Sequence, residues 1–271
     1  MTREIVIVTG MGAMGVACAR RLGSGRQLLL ADNDQSRLDH ARNLLHEQGF
    51  AVDGLCLDLA DSQAMVELDG YLQARRAPLR YLMHTAAVSP TMASARRIYQ
   101  VNLEGSARLL DALLPNAAPG AVGVVIASMG AQFVEVPGDI EAQLATCPAD
   151  ELTSRAMAWD TSGDSNRAYL VAKRGNQLRV EAQSLRWAER GARLLTISPG
   201  IISTDQGRQE VREQPEVARL VDENPLRRIG TPDDIAAAVE WLVGPAASFI
   251  TGTDLRVDGG TIAALRWRQT P

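Results

Sequence analysis

Tyr169 and Lys173 stand four residues apart in the run YLVAK, a spacing that puts both side chains on one face of a helix, one turn from each other. Lys173 is the only lysine among the 28 basic residues of a chain that otherwise uses arginine. An ammonium is compact, donates three hydrogen bonds and can give up its proton, which a guanidinium cannot. A positive charge beside the phenol is expected to lower its pKa from near 10 toward neutrality, so that Tyr169 acts as a general acid or base. With 4 tyrosines in 271 residues, chance would place the lone lysine four after a tyrosine in about 1.5% of arrangements.

Ser128 closes the apolar run AVGVVIAS, at the edge where open α/β sheets hold ligands, and its hydroxyl can orient a substrate carbonyl. A turn or cap is the plainer role for a serine there. Asn102, in QVNLEG, has the same capping alternative beside a functional one, holding a water that links Lys173 to solvent.

A second constellation suits an anion. Gly10, Gly12 and Gly15 follow the first apolar run and open a helical pattern as G-x-G-x-x-G. Gly10 permits the tight turn, Gly12 removes a side chain where a pyrophosphate approaches, and Gly15 allows close helix packing, while the helix N-terminus offers free N–H groups. Asp32 ends the second apolar run, where a carboxylate accepts from both adenosine ribose hydroxyls and repels a 2′-phosphate. No basic residue immediately follows it, and Arg37, a helical turn further on, is expected to leave it uncompensated. The pattern favours NAD over NADP. Asp58, closing the third run, serves either the adenine or a helix cap.

These residues need a scaffold. Strand-length runs at Glu4 to Val8, Gln27 to Asp32, Val52 to Leu59, Leu79 to Thr85, Ala121 to Ser128 and Ala192 to Ser198 are nearly continuously apolar, as in strands buried on both faces of a parallel sheet. Helical patterns lie between and after them, at Met14 to Leu22, Gln35 to Glu47, Ser62 to Arg75, Leu103 to Leu114, Tyr169 to Arg190 and Pro232 to Val243. The alternation predicts an α/β fold, a doubly wound, Rossmann-like parallel sheet within one domain spanning 1–271. Two segments break the pattern: 132–166, which reads as a helical hairpin, and the charged run Ser203 to Asn224, a lid candidate that reads as a solvated helix face.

With 28 basic against 32 acidic residues, the chain offers no broad basic field for nucleic acid. The cysteines Cys18, Cys56 and Cys147 have no metal-ligand spacing and read as buried small hydrophobes in a reducing cytosol. No metal site is expected. The first apolar run goes straight into a glycine turn, unlike a secretion signal, and no stretch has the length of a membrane span. A cytoplasmic location is expected.

The motifs TGMGAMG, Asp32, Asp58, HTAAV, VNLEG, ASMG, YLVAK, SPGIIST and VDGG occur in one order over residues 5 to 260. Together they resemble the short-chain dehydrogenase/reductase family across nearly the whole chain. The resemblance implies a seven-stranded sheet and a catalytic tetrad of Asn102, Ser128, Tyr169 and Lys173, with Lys173 also holding the nicotinamide ribose. It implies cofactor contacts at Gly10, Gly12, Ala13, Met14, Gly15, Asp32, Asp58, Leu59, Ala86 and Ala87, and at Pro199, Gly200, Ile202 and Thr204 on the carboxamide side. The glycine loop is one residue shorter than the family's usual TGxxxGxG, and His84-Thr85-Ala86-Ala87 replaces an NNAG-like segment. His84 reads as packed beside the cofactor. Ser128 and Tyr169 are 41 residues apart, longer than in most members and similar to the subgroup of bacterial 3α-hydroxysteroid dehydrogenase/carbonyl reductase.

The expected reaction interconverts a secondary alcohol and a ketone with NAD(H). A lyase or epimerase using the same nucleotide and a non-catalytic dinucleotide-sensing scaffold are the alternatives, the last opposed by the intact Ser, Tyr and Lys set. The inserted hairpin is expected either to roof the substrate or to alter subunit packing. It would obstruct or rebuild the family's contact through the Leu103–Leu114 and Tyr169–Arg190 helices, which favours a homodimer through Pro232–Val243 and Thr253–Val257, with Ile235, Val239, Trp241 and Leu242 on its surface. A homotetramer is the lesser expectation.

Overall fold

A computed structural model describes residues 4–267 of the chain. Its strands are β1 (Ile5–Thr9), β2 (Gln27–Asp32), β3 (Ala51–Cys56), β4 (Leu79–His84), β5 (Ala117–Ile126), β6 (Arg193–Pro199) and β7 (Asp254–Val257). They form one parallel sheet in the order β3-β2-β1-β4-β5-β6-β7. The order reverses between β1 and β4, which opens a crevice at their carboxyl ends. This is the Rossmann-like α/β architecture expected.

The continuous apolar runs follow from burial on both sides. In β1, Val6 and Val8 face one core while Ile5 and Ile7 face the other, and all four are fully buried. The first core lies under α1 (Ala13–Leu22), α2 (Gln35–Glu47) and α11 (Pro232–Val243), and the second under α3 (Gln63–Arg75), α5 (Ser106–Leu113) and α8 (Ser165–Glu189). Two of the predicted helices, Gln35–Glu47 and Pro232–Val243, match their observed bounds.

The predicted helix Leu103–Leu114 differs. A helix starts earlier, with α4 (Ala95–Ile98), widens into a π turn at Tyr99–Gly105, and continues as α5. The wider turn contains Asn102, and a side chain at Gly105 would meet the Leu59 carbonyl oxygen at 2.7 Å. Close approach to the β3–α3 loop therefore fixes glycine there.

The insertion forms α6 (Gly138–Thr146) and α7 (Leu152–Trp159). Leu144, Leu152 and Ala156 join Ile98, Leu103, Val171 and Ala172 in a third apolar cluster. Arg174 reaches Glu141 at 2.6 Å, Arg179 donates to the carbonyls of Ala145 and Cys147, and the Tyr99 hydroxyl donates to Asp160 at 2.7 Å. The hairpin is thus packed onto the α5 and α8 side of the chain itself.

The lid run forms α9 (Asp205–Glu213) and α10 (Pro215–Asp222), and the last described helix is α12 (Thr261–Trp267). Most of α9 and α10 is exposed, as a solvated face requires.

Two surface expectations need correction. Ile235, Val239 and Leu242 of α11 are buried in the chain's own core, because α11 lays its apolar stripe against α1 and the sheet; Trp241 alone of the four is exposed. Among the cysteines, Cys18 is buried but Cys56, at the end of β3, is exposed, and Cys147 is half-buried.

Candidate active site

Helix α8 presents Tyr169, Lys173 and Asn176 along one stripe at i, i+4 and i+7. Tyr169 turns toward Ser128, two residues beyond β5. The Ser128 hydroxyl accepts from the Gly130 N–H at 3.0 Å, capping the turn Met129–Phe133, and lies close enough to the phenol to influence its ionisation. Its capping and its proximity to Tyr169 therefore coexist. Lys173 is buried, donates to the Ile126 carbonyl at 2.8 Å, and places its Nζ 5.5 Å from the centre of the Tyr169 ring.

Burial pushes the Lys173 ammonium down to about 8. It also pushes the Tyr169 phenol up to about 12, assisted by the negative charge of Glu210, with the Ser128 hydroxyl acting the other way. The expected lowering of the phenol is thus reversed. Lys173 lies beside the ring and is bound to a carbonyl, so its charge does not offset desolvation of the phenolate. Tyr169 is held as the proton-bearing acid.

Asn102 is wholly buried, and its side chain makes paired bonds to the backbone of Val88, 2.8 Å from the N–H and 2.9 Å to the carbonyl. Its own carbonyl accepts from Asn176 Nδ2 at 2.9 Å and from the Ser106 hydroxyl at 2.8 Å. Asn102 therefore pins the loop after β4 to the π turn and α8, with no direct bond to Lys173. His84 ends β4 with both ring nitrogens engaged, Nδ1 with Thr9 at 2.6 Å and Nε2 with Ser106 at 2.8 Å. Burial and the Lys173 charge push it down to about 3, so it is neutral.

At the other end of the crevice, Gly10 has φ +84°, and a side chain there would meet the backbone of Ala86 at 2.6 Å. A Cβ at Gly15 would meet the Gly10 carbonyl oxygen at 2.0 Å, whereas one at Gly12 would meet nothing within 4 Å. The turn is closed on two sides and open on the third. Gly12 caps α1 with no side-chain bond, which leaves the first-turn N–H groups of Ala13, Met14 and Gly15 available. These features fit a dinucleotide pyrophosphate. Ala86 lies against the glycine turn and Ala87 after it is exposed, while Thr85 Oγ1 donates to the carbonyls of Thr9 and Gly10.

Asp32 is buried, and three N–H groups converge on its two oxygens. Oδ2 accepts from the Met11 N–H at 2.6 Å, Oδ1 from the Asp34 N–H at 2.9 Å, and Arg37 Nε stands 3.2 and 3.1 Å from the pair. The expectation of an uncompensated carboxylate is therefore corrected. The first turn of α2 carries Arg37 back over the end of β2. Asp58 accepts from the Ala60 N–H at 3.0 Å and pairs with Arg97 at 2.6 Å, which makes it a turn cap and ion-pair partner; Leu59 beside it is buried.

Beyond β6, Gly200 donates its N–H to Val257, and Ile202 forms an isolated parallel bridge with Gly230. The Thr204 hydroxyl accepts from the Gly207 N–H at 3.0 Å as the cap of α9. That helix turns Gly207 and half-buried Glu210 inward. Sequence reasoning weighed Arg37 but set it aside, and it missed Asn176 and Glu210 beside the candidate site. Of those two, Asn176 carried a signal, its i+7 spacing from Tyr169.

Among the described residues no cluster of three His, Cys, Asp or Glu is arranged for a metal ion, and no helix is long and apolar enough to cross a membrane.

Comparisons with known proteins agree with this geometry. Residues 4–138 match the short chain dehydrogenase family model, and residues 151–261 match the model described as Enoyl-(Acyl carrier protein) reductase. A short-chain dehydrogenase/reductase of Alternaria brassicicola is 31% identical over 98% of this chain and 98% of its own. The 3-alpha-hydroxysteroid dehydrogenase/carbonyl reductase of Comamonas testosteroni is 28% identical over 83% of this chain and 92% of its own. The crystal structure of the 3-alpha-hydroxysteroid dehydrogenase from Pseudomonas sp. B-0831, complexed with NADH, has a TM-score of 0.76 and 26% identity, covering 99% of this chain and 100% of that one. With its sheet order, glycine turn and Ser-Tyr-Lys constellation, the chain belongs to the short-chain dehydrogenase/reductase family of oxidoreductases.

Proposed function

We propose that the chain is an NAD(H)-dependent oxidoreductase interconverting a secondary alcohol and a ketone. The observation that carries this reading is the convergence of Ser128 and Tyr169, with buried Lys173 beside the phenol ring. Hydride exchange with the substrate carbon is the chemistry a bound nicotinamide supplies. Ser128, fixed by the Gly130 N–H, donates to the substrate oxygen. Tyr169 gives its proton to that oxygen as the carbonyl is reduced and takes it back as the alcohol is oxidised. Lys173 would hold the nicotinamide ribose hydroxyls and, able to lose its proton near neutral pH, would return a proton to the phenolate and regain one from solvent. Asn102 keeps the β4 loop and the π turn in place around it.

NAD(H) is supported by the buried Asp32 carboxylate at the end of β2, where a 2′-phosphate would meet like charge. The structural relative complexed with NADH adds to that support. Gly10, Gly12, Ala13, Met14 and Gly15 would hold the pyrophosphate. Ala86, Ala87, Asp58 and Leu59 would frame the adenosine side, and Pro199, Gly200, Ile202 and Thr204 the carboxamide. The substrate is a small-molecule alcohol or ketone, handled in the cytoplasm.

We further propose a homodimer through α11 and β7. Among the described residues β7 pairs only with β6, exposed Trp241 lies on α11 itself, and fully exposed Phe249 lies in the segment between α11 and β7. Absorbance at 340 nm with NADH and NADPH against a panel of alcohols and ketones tests the reaction. Turnover with NADH supports it, and no turnover with either cofactor on any substrate opposes it.

A further inference from the structure

The Asp32 carboxylate has roughly four acceptor positions, and three N–H groups engage it through four contacts. Two come from backbone N–H groups of Met11 and Asp34, which the glycine turn and the start of α2 hold in place. The other two come from one side-chain nitrogen, Arg37 Nε. The Arg37 side chain is 44% exposed while that of Asp32 is 5% exposed, so the arginine is the donor that can leave. Its Nη2 lies 3.8 Å from Asp34, itself an exposed carboxylate. Its backbone is anchored by the Asp34 cap, with the Arg37 N–H donating to Asp34 Oδ1 at 3.0 Å. A displaced guanidinium therefore stays within a side chain's length of Asp32.

We propose that Arg37 sets cofactor choice together with Asp32. It competes with the adenosine ribose hydroxyls of NAD(H) for the carboxylate, and it becomes the counter-ion of the 2′-phosphate when the nucleotide is NADP(H). This rests on the reading of the glycine turn as a dinucleotide site. A ribose hydroxyl entering the crevice must displace a charge-assisted donor, which weakens NAD(H) binding. A 2′-phosphate repels Asp32 but gains a guanidinium whose fork suits phosphate oxygens. The preference for NAD(H) is accordingly narrower than Asp32 alone would set.

Binding is the readout, by titration calorimetry of the full-length protein with NADH and with NADPH, without substrate. Arg37→Met keeps the stem and removes the charge. It is expected to tighten NADH about threefold and weaken NADPH about tenfold, moving the ratio of the two affinities by roughly thirtyfold. Arg37→Lys, a point charge without the fork, retains part of the NADPH affinity. Asp32→Asn leaves Arg37 free and reverses the order so that NADPH binds more tightly, a reversal that Asp32→Asn combined with Arg37→Met abolishes. A ratio in Arg37→Met within twofold of wild type overturns this proposal alone. Failure of the wild-type protein to bind either nucleotide overturns the dinucleotide reading and this proposal with it.

Discussion

Alanine at Gly12 and alanine at Gly10 should separate the function of the glycine turn from its folding. At Gly12 a Cβ meets nothing within 4 Å and φ is −73°, a value alanine adopts freely. The cost to the folded protein is the weaker N-cap, on the order of 1 kcal/mol or less, or a melting shift of about 2–4 °C in a protein of this size. In the crevice, however, the added methyl occupies space proposed for the pyrophosphate, and nucleotide affinity is expected to fall at least tenfold, about 1.4 kcal/mol. At Gly10 the same methyl meets Ala86 N at 2.6 Å and Ala86 Cα at 2.7 Å, and φ is +84°. The left-handed backbone costs about 1–2 kcal/mol and relief of the backbone clash about 1–3 kcal/mol. Gly10→Ala should therefore lower the melting temperature by several times the Gly12→Ala shift. Thermal melts by circular dichroism, paired with calorimetric titration of NADH, measure both. Wild-type NADH affinity in Gly12→Ala would refute the placing of the pyrophosphate, and a wild-type melt in Gly10→Ala would refute the packing argument.

Lys173→Arg keeps the charge but cannot release a proton, so turnover at saturating cofactor should fall on the order of 10²; near-normal turnover would show that charge alone suffices. His84 is neutral in the fold and its pKa is pushed down to about 3, so between pH 6.5 and 3 the unfolded chain binds a proton that the native chain does not. Its contribution is present above pH 6.5 and lost as pH falls, about 2 kcal/mol by pH 5, so urea melts at pH 7 and 5 should show a smaller acid loss in His84→Gln than in wild type. Trp241→Gln combined with Phe249→Ser should halve the mass seen by light scattering while leaving the fold intact, because both side chains are exposed; an unchanged dimer would put the contact elsewhere.

The sheet was legible because burial on both faces leaves runs such as QLLLAD with no polar alternation, and β2 begins and ends where that run does. Strand β3 was less so. Leu57 and Leu59 extend its apolar run but are buried in the turn that follows Cys56. The Tyr169–Lys173 face and the distinct roles of the three glycines followed from spacing and steric argument. The π turn around Asn102 did not, because its width is imposed by contacts with Val88, Asn176 and Leu59, which belong to other elements. Nor did the raised Tyr169 pKa, which depends on desolvation and on Glu210 arriving from α9. The Arg37 contact is local in sequence and uses the usual N-terminal lean of a helical side chain, but it depends on where the first turn of α2 sits over the end of β2.

Single substitution of the phenol tests the central claim most directly. Tyr169→Phe removes one oxygen from a residue whose ring packing can be retained, and leaves the glycine turn and Asp32 untouched. Steady-state turnover is followed at 340 nm on any alcohol or ketone the wild-type protein accepts, beside calorimetric NADH affinity. Turnover is expected to fall by on the order of 10² or more with cofactor affinity nearly unchanged. Wild-type turnover in Tyr169→Phe would remove the phenol from proton transfer and contradict the mechanism.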